Sequence, residues 1–219
     1  MTISLAISSP GAIPDLDTLK TTVSDWLDRN DIDARIPTFS QMAEAMFNRE
    51  LRTPEMERTT LIQATDEDTN LPDDYLAMRA IYEEGSPDRP LKAVSPTAIR
   101  QNYNGATGTP VAYALVSGGI RLVPPPASST LLAMDYFARI EALSVYAPSN
   151  WLLAQHPDAY LYGTLFYAEA FLDNATRAAQ WKGLLDEVVG RISRTARNDR
   201  YGAGPLVPST VNQVRGVRC

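Results

Sequence analysis

Hydrophobic positions recur with a helical period at both ends of the chain and with a strand-like period between them. Near the start, Leu16, Leu19, Val23, Trp26 and Leu27 fall on one face of a helix that Asp15 or Asp17 can cap and that stops near Asn30-Asp31. Thr38 followed by Gln41 fits a capping box with Pro37 just outside it, and predicts a second helix carrying Phe39, Met42, Met46 and Leu51 inward until Pro54 ends it. From Pro148 to Tyr201 the helical period returns. Leu161, Leu165, Ala168 and Leu172 form a stripe, and Tyr160, Tyr162, Phe166, Tyr167 and Phe171 widen it until little of the circumference is polar. Asp173, Asn174 and Thr176 interrupt the pattern with cap-type residues. Trp181, Leu184, Leu185, Val188 and Ile192 resume it as a second helix.

Between these helical ends the signals are those of strands and turns. Thr59–Ile62 is rich in β-branched residues, and Asp66–Asn70 reads as a surface turn. Leu71–Leu76 leads into a strand at Met78–Glu83, and a short strand follows at Leu91–Val94. Ser95-Pro96 then supplies a cap and an N1 proline for a short helix over Thr97–Tyr103. Val111–Val116 and Ile120–Val123 flank Ser117-Gly118-Gly119 as a hairpin, and Pro124-Pro125-Pro126 stops further pairing. Thr130–Ala138 is a last strand with Leu132, Met134 and Tyr136 facing one way. The expected fold is α+β. An antiparallel helical bundle of N- and C-terminal helix pairs (1–56 and 141–198) carries an inserted small antiparallel β domain (57–140) and an extended C-terminal arm (199–219).

Composition is that of an ordinary soluble globular protein, 44% hydrophobic and 21% charged over 219 residues. Charge changes the picture more. The net charge is −6, but Arg191–Cys219 holds six arginines against one acid, a local +5, which leaves −11 on the other 190 residues. An acidic body argues against whole-molecule nucleic-acid binding and makes the basic arm the part that meets an acidic partner. The single cysteine, Cys219, excludes an intrachain disulfide and fits a reducing compartment. The first residues lack the basic segment and apolar run of a signal peptide, and no stretch is long enough to cross a bilayer, so assembly in a cytoplasm and no membrane partner are expected.

Candidate chemistry is sparse. His156 is the only histidine, which removes His-assisted nucleophiles and multi-histidine metal sites; its place before Pro157 fits a turn or cap. Cys219 lacks an activating neighbourhood. The acids Asp66, Glu67, Asp68, Asp73, Asp74, Glu83 and Glu84 lack the glycine and spacing of a calcium loop and read as a solvated face. Gly105–Pro110 has no Gly-Lys-Ser/Thr behind it and is not a phosphate loop. No cofactor or metal is expected. Arg191, Arg194 and Arg197 near a helix C-terminus are favoured by the dipole, and with Arg200 they could also meet an acidic groove on another protein. The tail 202–219, broken by Gly202, Gly204, Pro205, Pro208 and Gly216, is too poor in apolar residues to form its own core.

Several segments, in order, resemble one family. Asn150-Trp151-Leu152-Leu153, His156-Pro157-Asp158, Tyr160-Leu161-Tyr162-Gly163, Glu169-Ala170 and Trp181 resemble the C-terminal half of head-to-tail adaptor (connector) proteins of tailed bacteriophages. Leu71-Pro72-Asp73-Asp74-Tyr75-Leu76, Pro110-Val111-Ala112-Tyr113 and Gly118–Pro124 resemble the same family, and the likeness runs over about 15–200. The resemblance implies a virion structural protein, not an enzyme, forming a ring under the portal, commonly a dodecamer. Such a ring extends the DNA channel, lets DNA pass without specific binding and gives tail or nozzle proteins a place to attach.

On that reading Arg194, Arg197, Arg200, Tyr201, Leu206, Val207, Val211 and Val214 are expected to meet the portal. Trp151, Tyr160, Tyr162 and Tyr167 are expected at subunit interfaces, and Asp66, Glu67, Asp68, Asp73 and Asp74 toward the channel. Two other readings remain: a tail-completion or gatekeeper protein of the same particle, and a hydrolase using the carboxylate pair Asp135–Glu141 or Asp158–Glu169, although neither pair has a supporting pattern.

Overall fold

The computed structural model describes residues 13–102 and 107–201, apart from the side chains at 100–102 and 201. The expectations for the first residues and for the arm beyond Tyr201 therefore lie outside the described residues. Helix α1 (Leu16–Leu27) opens on Asp15, whose side chain accepts a 2.8 Å hydrogen bond from the Thr18 N–H. It closes on Asp28 in the left-handed region at φ 53°. Helix α2 (Ile36–Glu50) begins two residues before the predicted capping box, with Pro37 inside its first turn, so Thr38 is not a cap. Leu51 and Phe39 are buried as expected, but Met42 is 45% exposed. The inward face is instead Phe39, Ser40, Ala43, Glu44, Met46 and Phe47.

The C-terminal helices are three: α4 (Trp151–Gln155), α5 (Pro157–Phe171) and α6 (Ala175–Tyr201). Pro157 explains the extra break, because it cannot donate to the preceding turn and restricts His156 to a non-helical conformation. Helix α5 is central, packing against α1, α2, α4 and α6. It approaches α2 tightly at Gly163: a Cβ built there would lie 2.9 Å from Ala43 Cβ and 3.3 Å from Phe47. Leu185, Val188 and Ile192 bury along α6, whereas Leu184 is 41% exposed.

Between α2 and α4 lie two sheets. The first has strand order β1 (Glu57–Ala64), β7 (Thr130–Ala138), β3 (Tyr75–Glu83), all antiparallel. The second has the order β2 (Asp68–Asn70), β6 (Gly119–Val123), β5 (Ala112–Val116), β4 (Lys92–Ala93). Two expectations are corrected here. Asp68–Asn70 is a strand rather than a turn, because it pairs with Gly119–Arg121. The β4–β5 pair is parallel, because helix α3 (Pro96–Asn102) lies on the crossover between them. Ser117 and Gly118, at φ 34° and 85°, make the two-residue turn between β5 and β6.

Alternation along β7 decides how the layers stack. Leu132, Met134, Tyr136 and Ala138 point into a core shared with Ile81, Tyr113, Ile120 and Leu122, so the two sheets pack face to face. Phe137 points the other way, into the main core made by α1, α2, α5 and α6. Mixed α+β architecture is thus observed, with helices from both sides of the β segment sharing one core. Substituting Gly163→Ala forces a methyl into the α2–α5 contact. A loss of about 1–3 kcal/mol in denaturant-unfolding free energy is expected, with the slope m unchanged.

Candidate functional site

The residues nominated for function fall into separate places. Asp158 and Glu169 sit eleven positions apart on α5, a separation of roughly 16 Å at helical rise, too far for a shared catalytic site. Asp158 instead accepts from the Ala159 N–H at the helix start. Glu169, 1% exposed, has Arg177 Nε 2.9 Å from its Oε1. Asp135 accepts a 2.6 Å hydrogen bond from Thr59 across the β1–β7 pair. His156 is half-buried and makes no side-chain cap; it stands at the break between α4 and α5 that Pro157 imposes. Among the described residues no group of three or more His, Cys, Asp or Glu is arranged to hold a metal ion.

The acidic set is divided. Asp66 and Asp73 are exposed to solvent. Arg121 on β6 grips Asp68 through two hydrogen bonds of 2.7 and 2.8 Å and approaches Glu67 at 3.2 Å. That grip holds the Asp68 carboxyl below the usual carboxylate range and raises the guanidinium. Asp74 accepts from the Tyr136 hydroxyl at 2.8 Å; burial, together with that carboxylate, pushes the phenol up to about 12.

The arginine set is divided as well. Arg194 and Arg197 are exposed along α6. Arg200 is not available in the same way. It donates to Glu57 Oε1 at 2.8 Å, and its guanidinium lies 5.3 Å from the Phe137 ring centroid. Glu57 also pairs with Arg79, so Arg200 clamps the end of α6 to the first sheet instead of beginning a free arm. Tyr201 ends α6. Leu206, Val207, Val211 and Val214 lie outside the described residues.

Of the four aromatics expected at subunit contacts, Trp151, Tyr162 and Tyr167 are half-buried and reach the surface. Tyr162 stacks on Trp181 at 5.9 Å, and Trp181 meets Trp26, which is 45% exposed, at 5.5 Å. Tyr160 is a correction. It is 0% exposed and cannot touch a neighbour, because its hydroxyl is drawn inward to Glu44.

That buried network was missed by reading apolar periodicity alone. Glu44 on α2 is 4% exposed, and its Oε1 accepts from the Leu143 N–H at 2.8 Å and the Tyr160 hydroxyl at 3.1 Å. Tyr160 in turn accepts from Asn150 Nδ2 at 2.7 Å. Asn150 also donates to the Glu141 carbonyl and, through Oδ1, caps α4 at the Leu153 N–H. A signal existed: Ser40, Glu44, Phe47 and Leu51 share one helical stripe, so Glu44 occupies a core position. Burial pushes its carboxyl above the usual glutamate range, the two hydrogen bonds opposing this only in part. The network joins α2, α5 and the segment between β7 and α4.

The described surface thus offers half-buried aromatics at Trp151, Tyr162 and Tyr167 and exposed arginines at Arg194 and Arg197. A family model described as SU10 adaptor protein matches residues 14–209, and the chain belongs to that family. The match bears out the resemblance to head-to-tail adaptors of tailed bacteriophages. No curated protein matches the chain significantly.

The raised Glu44 carboxyl gives a signed pH dependence. The folded state holds this proton at pH values where the unfolded chain has lost it, so Glu44 costs stability as pH rises from the ordinary glutamate value of 4.5. Glu44→Gln keeps the acceptor oxygen and cannot ionise, so its unfolding free energy relative to the unsubstituted chain should improve between pH 4 and pH 7. Glu44→Ala, which strands the Leu143 N–H and the Tyr160 hydroxyl, should cost about 2 kcal/mol or more at both ends of that range. Urea melts at several pH values measure both.

Proposed function

We propose that the chain is a structural head-to-tail adaptor of a tailed bacteriophage, without catalytic activity or cofactor. In this reading copies of the chain form a ring, dodecameric in number, beneath the portal. The ring continues the DNA channel out of the head and gives tail or nozzle proteins their attachment surface. It is assembled in the host cytoplasm and resides at the head–tail junction of the virion. The observation that carries the proposal is the family match over residues 14–209. No helix among the described residues is long and apolar enough to cross a membrane.

Surface chemistry divides the roles. The half-buried Trp151, Tyr162 and Tyr167 serve contacts between copies, since such amphipathic rings supply contact area at low entropic cost. Arg194 and Arg197, with Tyr201 and the arm residues Leu206, Val207, Val211 and Val214, engage the portal. The β-rich segment 57–140 acts as one subdomain that turns Asp66 and Asp73 toward the channel, where uncompensated carboxylates repel phosphate. In the same proposal Glu67, Asp68 and Asp74 also belong to the channel-facing set, although Arg121 and Tyr136 partly or wholly engage them.

Native mass spectrometry and electron microscopy of the full chain, alone and mixed with the portal of its own phage, test the proposal. A closed ring whose symmetry matches the portal is expected. A chain that stays monomeric and does not bind the portal would overturn it. A charge-reversed Arg194→Glu/Arg197→Glu variant should retain its fold and lose at least tenfold in portal affinity, with wild-type binding weakening as salt is raised.

A further inference from the structure

The segment joining β7 to α4 is tied down along its whole length. The Ile140 N–H donates to Asn48 Oδ1 at 2.9 Å, the Leu143 N–H to Glu44 at 2.8 Å, and the Leu16 N–H to the Pro148 carbonyl at 2.8 Å. Its tip is a four-residue turn: the Ser144 N–H donates to the Ala147 carbonyl at 2.9 Å, and the Ala147 N–H to Ser144 Oγ at 3.0 Å. At the apex stand Val145 and Tyr146, 85% and 100% exposed. A loop this firmly anchored holds an isopropyl group and a phenol ring in water, with almost nothing among the described residues to pack against. Rigid presentation of an aromatic residue lowers the entropy lost on binding and is characteristic of an interface anchor.

The same chain carries a matching hole. Where this segment meets the sheet and α4, a depression of about 440 Å³ opens. The half-buried face of Trp151 and the edges of the largely buried Met56 and Ile140 give it apolar lining, and Glu55, Arg58, Asp74, Arg139 and Glu141 surround it with charge. An aromatic ring can lie against Trp151 and Ile140 while its hydroxyl donates to a rim carboxylate. Tyr146, being wholly exposed, does not fill this hole in its own chain. A knob and a hole that both stand unfilled among the described residues can serve as the two halves of a heterologous contact, the kind that propagates around a ring.

We propose that Val145 and Tyr146 of one subunit seat in the Met56–Ile140–Trp151 depression of the next, forming the repeating contact of the ring. The inference rests on the ring reading given above and assigns its interface. Tyr146→Ala removes the knob without touching the fold. Arg139→Trp fills the hole from an exposed rim position. Each variant should melt as the wild type does, and each alone should reduce the ring fraction at least tenfold in analytical ultracentrifugation.

Mixing the two variants is the deciding experiment. An intact hole on the first and an intact knob on the second allow one contact per pair, so a dimer of twice the chain mass should form and no ring. Wild-type rings with unaffected Tyr146→Ala rings would overturn the inference while leaving the adaptor reading intact. So would a Tyr146→Ala protein that still forms rings but no longer binds portal or tail proteins, and so would a mixture that yields no dimer. A wild type that forms no ring, with or without portal, would overturn both.

Discussion

A carboxyl group placed where a methyl or phenyl would otherwise sit organises this molecule. Glu44 lies inside the helical core, and removing it from water is costly unless donors come to it. Two do: the Tyr160 hydroxyl from α5 and the Leu143 N–H from the segment that brings the chain back from the sheets. Asn150 extends the network and starts α4. The return from β structure to helix therefore occurs at a fixed place on the surface of α2. The orientation of Trp151 and of the Val145–Tyr146 turn follows from it.

A second constraint is the division of one strand between two cores. Alternate residues of β7 serve the interface between the sheets, while Phe137 crosses to the helices. Because a strand has period two, a one-residue slip of β7 would put Phe137 between the sheets and Tyr136 among the helices, so the register is fixed from both sides. Arg79 and Arg200 both lie against the Phe137 ring and share Glu57. The first sheet is thereby joined to the helices by apolar packing and by charge.

Much of this was legible in the sequence. The α1 cap at Asp15, the turn at Ser117-Gly118, the alternation of Leu132, Met134 and Tyr136 and the interruption near Asp173 all have local causes, and all occur where expected. What failed depended on partners distant in the chain. Asp68–Asn70 becomes a strand only because Gly119–Arg121 offers an edge, and Thr69 passes so close to Gly119 that a Cβ there would lie 2.8 Å from its carbonyl oxygen. Met42 and Leu184 carry the helical period but face solvent, since periodicity fixes a stripe without fixing its width. Tyr160 and Tyr162 are two residues apart on one helix. The helix turns them to different faces, and Phe47 and Glu44 receive the first. The arginine ladder read as uniform, yet Glu57, some 140 positions away, takes its last member.

Helix α6 acquires a mechanical meaning from its two ends. Its 27 residues span roughly 40 Å. At one end Trp181 is wedged between Trp26 and Tyr162, and at the other Arg200 is locked to Glu57 and Phe137. A rod fastened at both ends behaves as a strut. Load applied to the chain beyond Tyr201 would be carried along it to the far face of the protomer with little give, and shared with the sheet at the point where the load enters.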